Sequence, residues 1–385
     1  MRLFNGSKRM LDRKSFSRAD SSLLSQWWWT VDRFALLILG VIMVIGIILS
    51  MAASPSVATH IGLPSFYFVK RHMVMLPVAA VLIVAISLMD QKMIRKFSLG
   101  LFFVSIGLML VTLFWGVEIK GAKRWINAFG LSLQPSEMVK PALAVVAAWF
   151  FCLQKQHREF PGYWLAGGFF LATLALLAMQ PDMGMIVVLV AFGLVQLFMT
   201  GISLFWVWII GAIGVGGFIL AYFSFSHVAK RIDRFLDPSA GDPYGDRYQI
   251  NRSLEAFVNG GLTGQGPGEG VVKKFIPDVH ADFIFAVAGE EFGLFFCWLV
   301  VGVFVAFIMR CLIRAWQQHN LFRMVAVTGL VTQFGLQAIV NLSSTLRLMP
   351  TKGMTLPFIS YGGSSLLASS ITVGLILAFT RKQVA

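Results

Sequence analysis

The sequence predicts an all-α, polytopic membrane protein with about ten transmembrane helices and a large extracytoplasmic loop before the eighth. Hydrophobic residues make up 57% of the chain and charged residues only 13%. Several apolar runs reach the roughly 18 to 20 residues that a helix needs to cross a hydrocarbon layer about 30 Å thick. Because these runs have no polar face, a soluble helical protein is excluded.

The chain divides into a basic N-terminal segment (1–33), a membrane domain (34–380) and a short tail (381–385). Lysine and arginine crowd the N-terminal segment, which places it in the cytoplasm, and an even number of spans returns the tail to the same side. The loop 224–282 is then outside. The predicted spans are 34–53, 72–89, 97–116, 136–152, 163–179, 183–199, 204–223, 283–309, 323–343 and 359–380.

The net charge of +14 has a topological explanation, since cytoplasmic loops of membrane proteins are basic. No groove of alternating basic and aromatic residues supports a nucleic-acid partner. Short outer loops also carry basic residues, against the insertion bias, and a multiply anionic ligand such as pyrophosphate explains them. These residues are Lys120, Lys123, Arg124, Arg347 and Lys352.

A second signal is the run from Gln134 to Lys140. Pro135 and Ser136 predict the start of a helix, and Glu137 and Lys140 share one face of it. An internal ion pair that seats the helix is one interpretation. The other is a functional site, because ionisable residues inside a span are functional by default. The nearby Trp125, taken alone, is an interface anchor.

Asp282 is the strongest single candidate. If one helix runs back from Arg310 to Asp282, its 28 residues cover about 42 Å, more than the hydrocarbon layer. This places Asp282 at the outer headgroups. The start of a helix and the neighbouring Lys273 and Lys274 favour an ionised carboxylate. The alternative is a helix cap, which needs only an oxygen acceptor.

Three further features have structural explanations beside functional ones. The segment 180–182 (Gln-Pro-Asp) is either a tight turn or part of the outer site. The glycines after Ser360 allow close helix packing or irregular backbone. The glycine-rich run 260–270 has no preceding strand and no Walker lysine, so a nucleotide site is rejected.

Together these motifs resemble the SEDS family (shape, elongation, division and sporulation) over nearly the whole chain from residue 30. The basic N-terminal segment and the glycine-rich run are more similar to its cell-division branch than to its elongation branch. Ala281 departs from the family pattern, which has threonine before the aspartate. The motifs are Gly121–Trp125, Gln134–Glu137 with Lys140, Gln180–Asp182 with Gly184, Gly260–Gly266, Pro277–Phe285, Glu290–Gly293 and Pro350–Ser365.

The resemblance implies a glycosyltransferase that polymerises lipid II outside the cytoplasmic membrane during cell division. It also implies a class B penicillin-binding transpeptidase and other division proteins as membrane partners, and a location at the septum. The family's catalytic aspartate corresponds to Asp282. We expect substrate to be bound by Arg124, Trp125, Glu137, Lys140, Lys274, Lys352 and Ser360.

Chemistry and resemblance converge, since glycosyl transfer from a lipid pyrophosphate needs a base and a cationic clamp for the leaving group. A transporter that flips lipid-linked precursors and a non-catalytic scaffold that recruits a transpeptidase remain alternatives. A transporter predicts charge near the middle of the membrane, whereas polar groups here concentrate at the outer face. Nothing in the sequence indicates a metal site, and whether a divalent cation participates stays open.

Overall fold

The computed structural model describes residues 22–119, 122–128, 131–224, 228–229, 232–233, 246–350 and 353–382. The helices are α1 (Leu23–Thr30), α2 (Arg33–His60), α3 (Tyr67–Ser87), α4 (Gln91–Trp115), α5 (Pro135–Gln156), α6 (Gly162–Met179), α7 (Met183–Met199), α8 (Leu204–Ser224), α9 (Asp246–Gly260), α10 (Ile284–Trp316), α11 (Leu321–Thr345) and α12 (Gly363–Thr380). Three short strands, β1 (Val117–Ile119), β2 (Ala122–Ala128) and β3 (Leu131–Leu133), and a 3-10 helix (Val272–Phe275) complete the described elements.

The predicted membrane class is confirmed. Among the described residues, nine helices are long and apolar enough to cross a membrane, and α7 is a shorter apolar helix of 17 residues. These ten helices coincide with the ten predicted spans. The sequence did not predict the antiparallel sheet β1–β2–β3, which folds the connection between α4 and α5 into a small hairpin layer.

The centre of the bundle consists of α5, α11 and α12, the most deeply buried spans. Small side chains allow these helices to approach closely, as expected where helix association in lipid depends on packing. On α5 the fully buried residues include Ala142, Ala144, Ala147 and Ala148. By contrast, only Ala221 is buried on α8, which lies at the edge against α7.

The two ends of the described chain meet at one end of the bundle. The backbone N–H of Lys382 donates to the carbonyl oxygen of Thr30 at 3.0 Å. Asp32, at the N-cap of α2, forms ion pairs with Arg310 at 2.8 Å and Arg314 at 2.6 Å near the end of α10. Because both ends of the described chain lie at the same end of the bundle, the chain crosses the bundle an even number of times.

The expectation of one continuous helix from Asp282 to Arg310 is wrong, because α10 is broken at Gly293. Gly293 has φ of 79° and ψ of −177°, a conformation that only glycine adopts easily. The part before the break is buried inside the protein, and the span proper begins at Leu294. Counting residues along a helix therefore does not give the depth of Asp282.

The glycine-rich run, residues 260–270, which we call the glycine loop, supplies hydrogen-bond partners to the backbone groups that the break leaves unpaired. The N–H of Leu294 donates to the carbonyl oxygen of Gly261 at 3.0 Å. The N–H of Gln265 donates to the carbonyl oxygen of Glu290 at 2.9 Å. A Cβ on Gly293 would overlap the backbone of this loop, so the glycines here serve close backbone approach.

Candidate functional site

Asp282 lies half-buried in the turn before α10, and α11 fixes its backbone. The Asn341 side chain donates from Nδ2 to the carbonyl oxygen of Asp282 at 3.0 Å and to that of Met354 at 2.6 Å. The N–H of Asp282 donates to the carbonyl oxygen of Asp278 at 3.0 Å. Asn341 is four residues from the end of α11, so Asp282 lies about one turn inside that end.

The segment before α12 approaches the Asp282 carboxylate directly. A Cβ built on Gly353 would lie 3.2 Å from Oδ2 of Asp282, so the Gly353 backbone packs beside that oxygen. Gly353 has φ of 61°, in the left-handed region that glycine tolerates. The predicted substrate-binding residue Lys352, which directly precedes Gly353, lies outside the described residues.

A buried ion pair at the start of α5 faces the neighbouring turn of α11. Lys140 Nζ lies 2.8 Å from Oε2 of Glu137, and both side chains are almost fully buried at the start of α5. The same ammonium donates to Oε1 of Gln337 at 2.8 Å. Gln337 and Asn341 are four residues apart and share one face of α11. One helix face thus brings the Lys140 ammonium and the Asp282 turn together.

The segment 353–362 is irregular backbone whose central residues, 356–360, are buried among helices, which is how a membrane domain tolerates such a loop. Gln337 donates from Nε2 to the Thr355 carbonyl oxygen at 3.2 Å. Ser360, predicted to bind substrate, is buried and accepts a hydrogen bond from the Leu356 N–H at 2.9 Å. Its hydroxyl therefore shapes this loop.

His280 links the two loops that carry Asp282 and Gly353. Its ring stacks on Phe68 with centroids 4.1 Å apart, and its carbonyl oxygen accepts from the Tyr361 N–H at 3.0 Å. Burial lowers the pKa of His280, against the opposing effect of the Asp278 charge. A neutral imidazole therefore belongs to this packing at neutral pH.

Arg124 lies on β2 and is engaged away from Asp282. Its guanidinium donates to the carbonyl oxygens of Gln180, at 2.7 Å, and Pro181, and pairs with Asp182 at 3.5 Å. It therefore fastens the hairpin to the turn between α6 and α7. Trp125, the next residue on β2, is partly exposed and pairs with Val117 of β1.

Lys274 is exposed and lines a cavity of about 530 Å³ between α2 and the glycine loop. Lys273 behaves differently: its buried ammonium pairs with Glu291 and donates to the Ala52 carbonyl oxygen at 2.9 Å. We expected the charge of Lys273 to favour an ionised Asp282. Because Glu291 already neutralises the Lys273 ammonium, its effect on Asp282 is weaker than expected. Neither lysine is in the polar cluster around Asn341 and Gln337.

Glu290 holds the 3-10 helix in place. Its carboxylate accepts the backbone N–H groups of Val271, Val272 and Lys273 at 2.7 to 2.8 Å, and the Asn259 amide at 3.0 Å. Four donors satisfy this fully buried charge, as a buried carboxylate requires. The acidic pair before the break is therefore a scaffold for the loop that leads to Asp282.

Sequence reasoning missed Gln337 and Asn341, which carry the geometry of the site. Two amides four residues apart in an apolar span are a signal that was available, because polar residues inside a span mark functional or packing sites. Among the described residues, no group of three or more His, Cys, Asp or Glu side chains is placed to hold a metal ion.

These features define a membrane-embedded site at one end of a ten-helix bundle, and comparisons assign its family. The model of the FtsW/RodA/SpoVE family, described as cell cycle protein, matches residues 32–384, and the chain belongs to this family. The resemblance to SEDS proteins is thereby confirmed, and the similarities below favour its FtsW branch.

Curated relatives share most of the chain. A protein of Caulobacter vibrioides named probable peptidoglycan glycosyltransferase FtsW is 40% identical over 371 residues, covering 96% of this chain and 94% of the relative. A protein of the same name from Trichlorobacter lovleyi is 35% identical over 341 residues, covering 86% and 88%. The identities extend over nearly the whole length of both proteins.

Solved structures share the fold. A chain from a peptidoglycan synthase complex described as coordinating polymerization and crosslinking superposes with a TM-score of 0.75 at 24% identity, covering 92% of this chain and 98% of that one. RodA of Thermus thermophilus gives a TM-score of 0.66 at 24% identity, covering 92% and 97%.

Proposed function

We propose that this protein is a peptidoglycan glycosyltransferase of the division branch, which polymerises lipid II into glycan strands at the outer face of the cytoplasmic membrane. The observation that supports this most is the pairing, on one face of α11, of the Asp282 turn with the buried Lys140 ammonium. The turn that carries the carboxylate and the side chain that carries the cation are thus held about one helical turn apart on α11, and a base and a cation are the two needs of glycosyl transfer.

In the proposed reaction, the Asp282 carboxylate accepts the proton of the acceptor sugar hydroxyl. The resulting oxygen attacks the anomeric carbon of the donor, and the bond from that carbon to the pyrophosphate breaks. The pyrophosphate leaves with the bonding electrons and remains on its lipid. A single displacement of this kind inverts an α-linked donor to a β-linked product.

Lys140, Lys274 and Lys352 are the proposed cations for the pyrophosphate. Glu137 and Gln337 already accept two N–H groups of Lys140, which leaves one proton of the ammonium to donate to substrate. Arg124 takes a positioning role in this proposal, because three acceptors of the α6–α7 turn already engage it. Trp125 and Ser360 remain predictions as substrate contacts.

The proposal extends to orientation and partners. The candidate site faces outward, the basic N-terminal segment lies in the cytoplasm, and the protein works at the septum. A class B penicillin-binding transpeptidase is the proposed partner. The fold likeness to a chain of a complex described as coordinating polymerization and crosslinking supports such a pairing.

A transporter is the weaker proposal. In the described spans, charged side chains lie within about two turns of a helix end or beside the break in α10. Carriers instead place charged binding groups near the middle of the membrane. A non-catalytic scaffold would retain partner binding without polymerising lipid II.

The test is conversion of lipid II to glycan strands by the purified protein with its partner. Asp282→Asn keeps a capping oxygen but removes the base, and we expect a loss of about 100-fold or more. Asp278→Asn, four residues away at φ of 52°, is the matched control and should retain activity. Partner association should be unchanged in both variants. Polymerisation by Asp282→Asn near the wild-type rate would refute the catalytic role.

A further inference from the structure

At the end of the bundle opposite the candidate site, basic and aromatic side chains in the described part of the chain have buried N–H groups without acceptors. The guanidinium of Arg95, in the first turns of α4, lies 5.2 Å from the ring centre of Phe322 and 5.7 Å from that of Trp149. In the part of the chain that the structure describes, Nε of Arg95 and Nε1 of Trp149 are buried and have no hydrogen-bond partner. Two donors at one place thus lack an acceptor.

A second arginine with an unpaired donor lies at the same end of the bundle. Arg323 follows Phe322 at the start of α11, and its Nε is likewise buried without a hydrogen-bond partner among the described residues. Its charge repels that of Arg381, which follows α12 and donates to the Ser87 carbonyl oxygen at 3.0 Å. The ring of Phe322 packs on Phe379 with centroids 5.3 Å apart, which connects the starts of α4 and α11 to the end of α12.

Within the described residues, acidic side chains do not pair with this cluster. Asp32 is paired with Arg310 and Arg314, and Asp90 is exposed and caps α4 through Met93. Within the described ranges, neither Arg95 nor Arg323 forms an ion pair. Buried N–H donors are normally satisfied, so the unpaired Nε groups of the two partly buried arginines and Nε1 of Trp149 favour an anion that completes them.

We propose that the phosphate group of an anionic phospholipid binds between Arg95, Trp149 and Arg323. The site lies in the first turns of two spanning helices, at the level where a bilayer presents its headgroups. Trp149 and the buried Phe322 flank the guanidinium of Arg95, and tryptophan rings occupy the boundary between headgroups and acyl chains. Basic pockets between spanning helices bind anionic headgroups in this way. The proposal stands independently of the catalytic one.

Guanidinium groups suit this ligand because they offer paired donors to phosphate oxygens. Under the proposed orientation, this end faces the cytoplasmic leaflet, where anionic lipids would meet it. A bound lipid would connect α4, α5 and α11 and so stabilise the end of the bundle away from the candidate site.

Native mass spectrometry of the full-length protein in detergent tests the proposal, with phosphatidylglycerol and phosphatidylcholine as probes. We expect preferential retention of phosphatidylglycerol. Arg95→Gln combined with Arg323→Gln should reduce that retention about tenfold or more, because charge-assisted hydrogen bonds are lost. Lys92→Gln combined with Lys96→Gln removes the same charge from exposed positions nearby and should leave it unchanged.

Equal losses in the two double variants, or equal retention of both lipids by the wild type, would overturn the proposal. Displacement of phosphatidylglycerol by millimolar inorganic phosphate would show that the site binds free phosphate and would overturn the proposal that its ligand is a lipid. If the glutamine variant does not fold, Arg95→Lys with Arg323→Lys keeps the charge and loses the forked donors. That variant should bind phosphatidylglycerol more weakly than the wild type, and unchanged binding would refute the proposed geometry.

Discussion

At the scale of single residues, buried charges near the candidate site are compensated by specific partners. Lys140 is paired with Glu137 and Lys273 with Glu291, and each ammonium donates to a further neutral oxygen. Removing one member of a buried pair leaves an uncompensated charge, which costs about 3 to 5 kcal/mol. A variant of this kind can therefore lose activity either because the fold is destabilised or because a functional group is missing, and an experiment has to separate the two.

A compensated variant separates them for Lys140. Lys140→Met alone should lower the melting temperature and the activity, because Glu137 is left buried and unpaired. Adding Glu137→Gln removes that charge and should restore most of the stability. If the ammonium binds the leaving pyrophosphate, the double variant stays deficient in lipid II polymerisation. Wild-type turnover by a stable double variant would show that the pair is only structural.

Protonation of His280 leads to a prediction about how the stability of the protein depends on pH. Because its pKa is lowered in the folded protein, the unfolded chain binds the proton more strongly. Its stabilising contribution is therefore present above its ordinary value of 6.5 and is lost as pH falls below it. The melting temperature of His280→Phe, which keeps a ring against Phe68, should fall less than that of wild type on acidification.

The control variant replaces a histidine at an exposed position, His319. His319→Gln should show the wild-type dependence of melting temperature on pH. An identical dependence in His280→Phe and wild type would contradict the assignment of this effect to His280.

At the scale of elements, the break in α10 and the glycine loop form one unit. The loop supplies donors to the carbonyl oxygens of Glu290 and Glu291 and accepts the N–H groups of Leu294 and Phe295. Backbone groups freed by the break are thus satisfied inside the protein, as a membrane interior demands. The unit directs the chain from the loop into the turn that holds Asp282.

Alanine substitutions test this unit. Gly293→Ala should destabilise the protein by more than about 3 kcal/mol, because a Cβ would overlap the loop backbone at a φ of 79°. Gly302→Ala, in the same helix with nothing within 4 Å of the added carbon, should change stability by less than about 1 kcal/mol. Thermal unfolding in detergent measures both. Equal melting temperatures would mean that the break is not required.

At the scale of the whole molecule, the proposed orientation determines which solution the candidate site meets. The three native cysteines, Cys152, Cys297 and Cys311, are buried, so an introduced thiol reports its own side of the membrane. Val271→Cys lies beside the glycine loop, and His319→Cys lies at the opposite end, between α10 and α11. Both positions are exposed.

In intact cells, a membrane-impermeant maleimide should label Val271→Cys and leave His319→Cys unlabelled. After the cells are opened, both should react, which controls for accessibility. Labelling of His319→Cys alone in intact cells would show that the topology is the inverse of the proposed one and that Asp282 is not at the outer face.

The sequence by itself determined the membrane class, the ten spanning helices and the motifs from which the site is drawn. Span length and charge bias are properties of local stretches, so they can be read without knowing the contacts between distant residues. The helix start at Pro135, with Lys140 inside that helix, belongs to the same local information.

Only the tertiary structure decided which of those residues share a site. Lys140 meets Gln337 across 197 residues of sequence, and Arg124 turns to the α6–α7 connection 56 residues away. The break at Gly293 was hidden because a glycine in an apolar run has the same pattern in a straight helix as at a break. The glycine loop supports it through backbone hydrogen bonds, which carry no side-chain signature in the sequence.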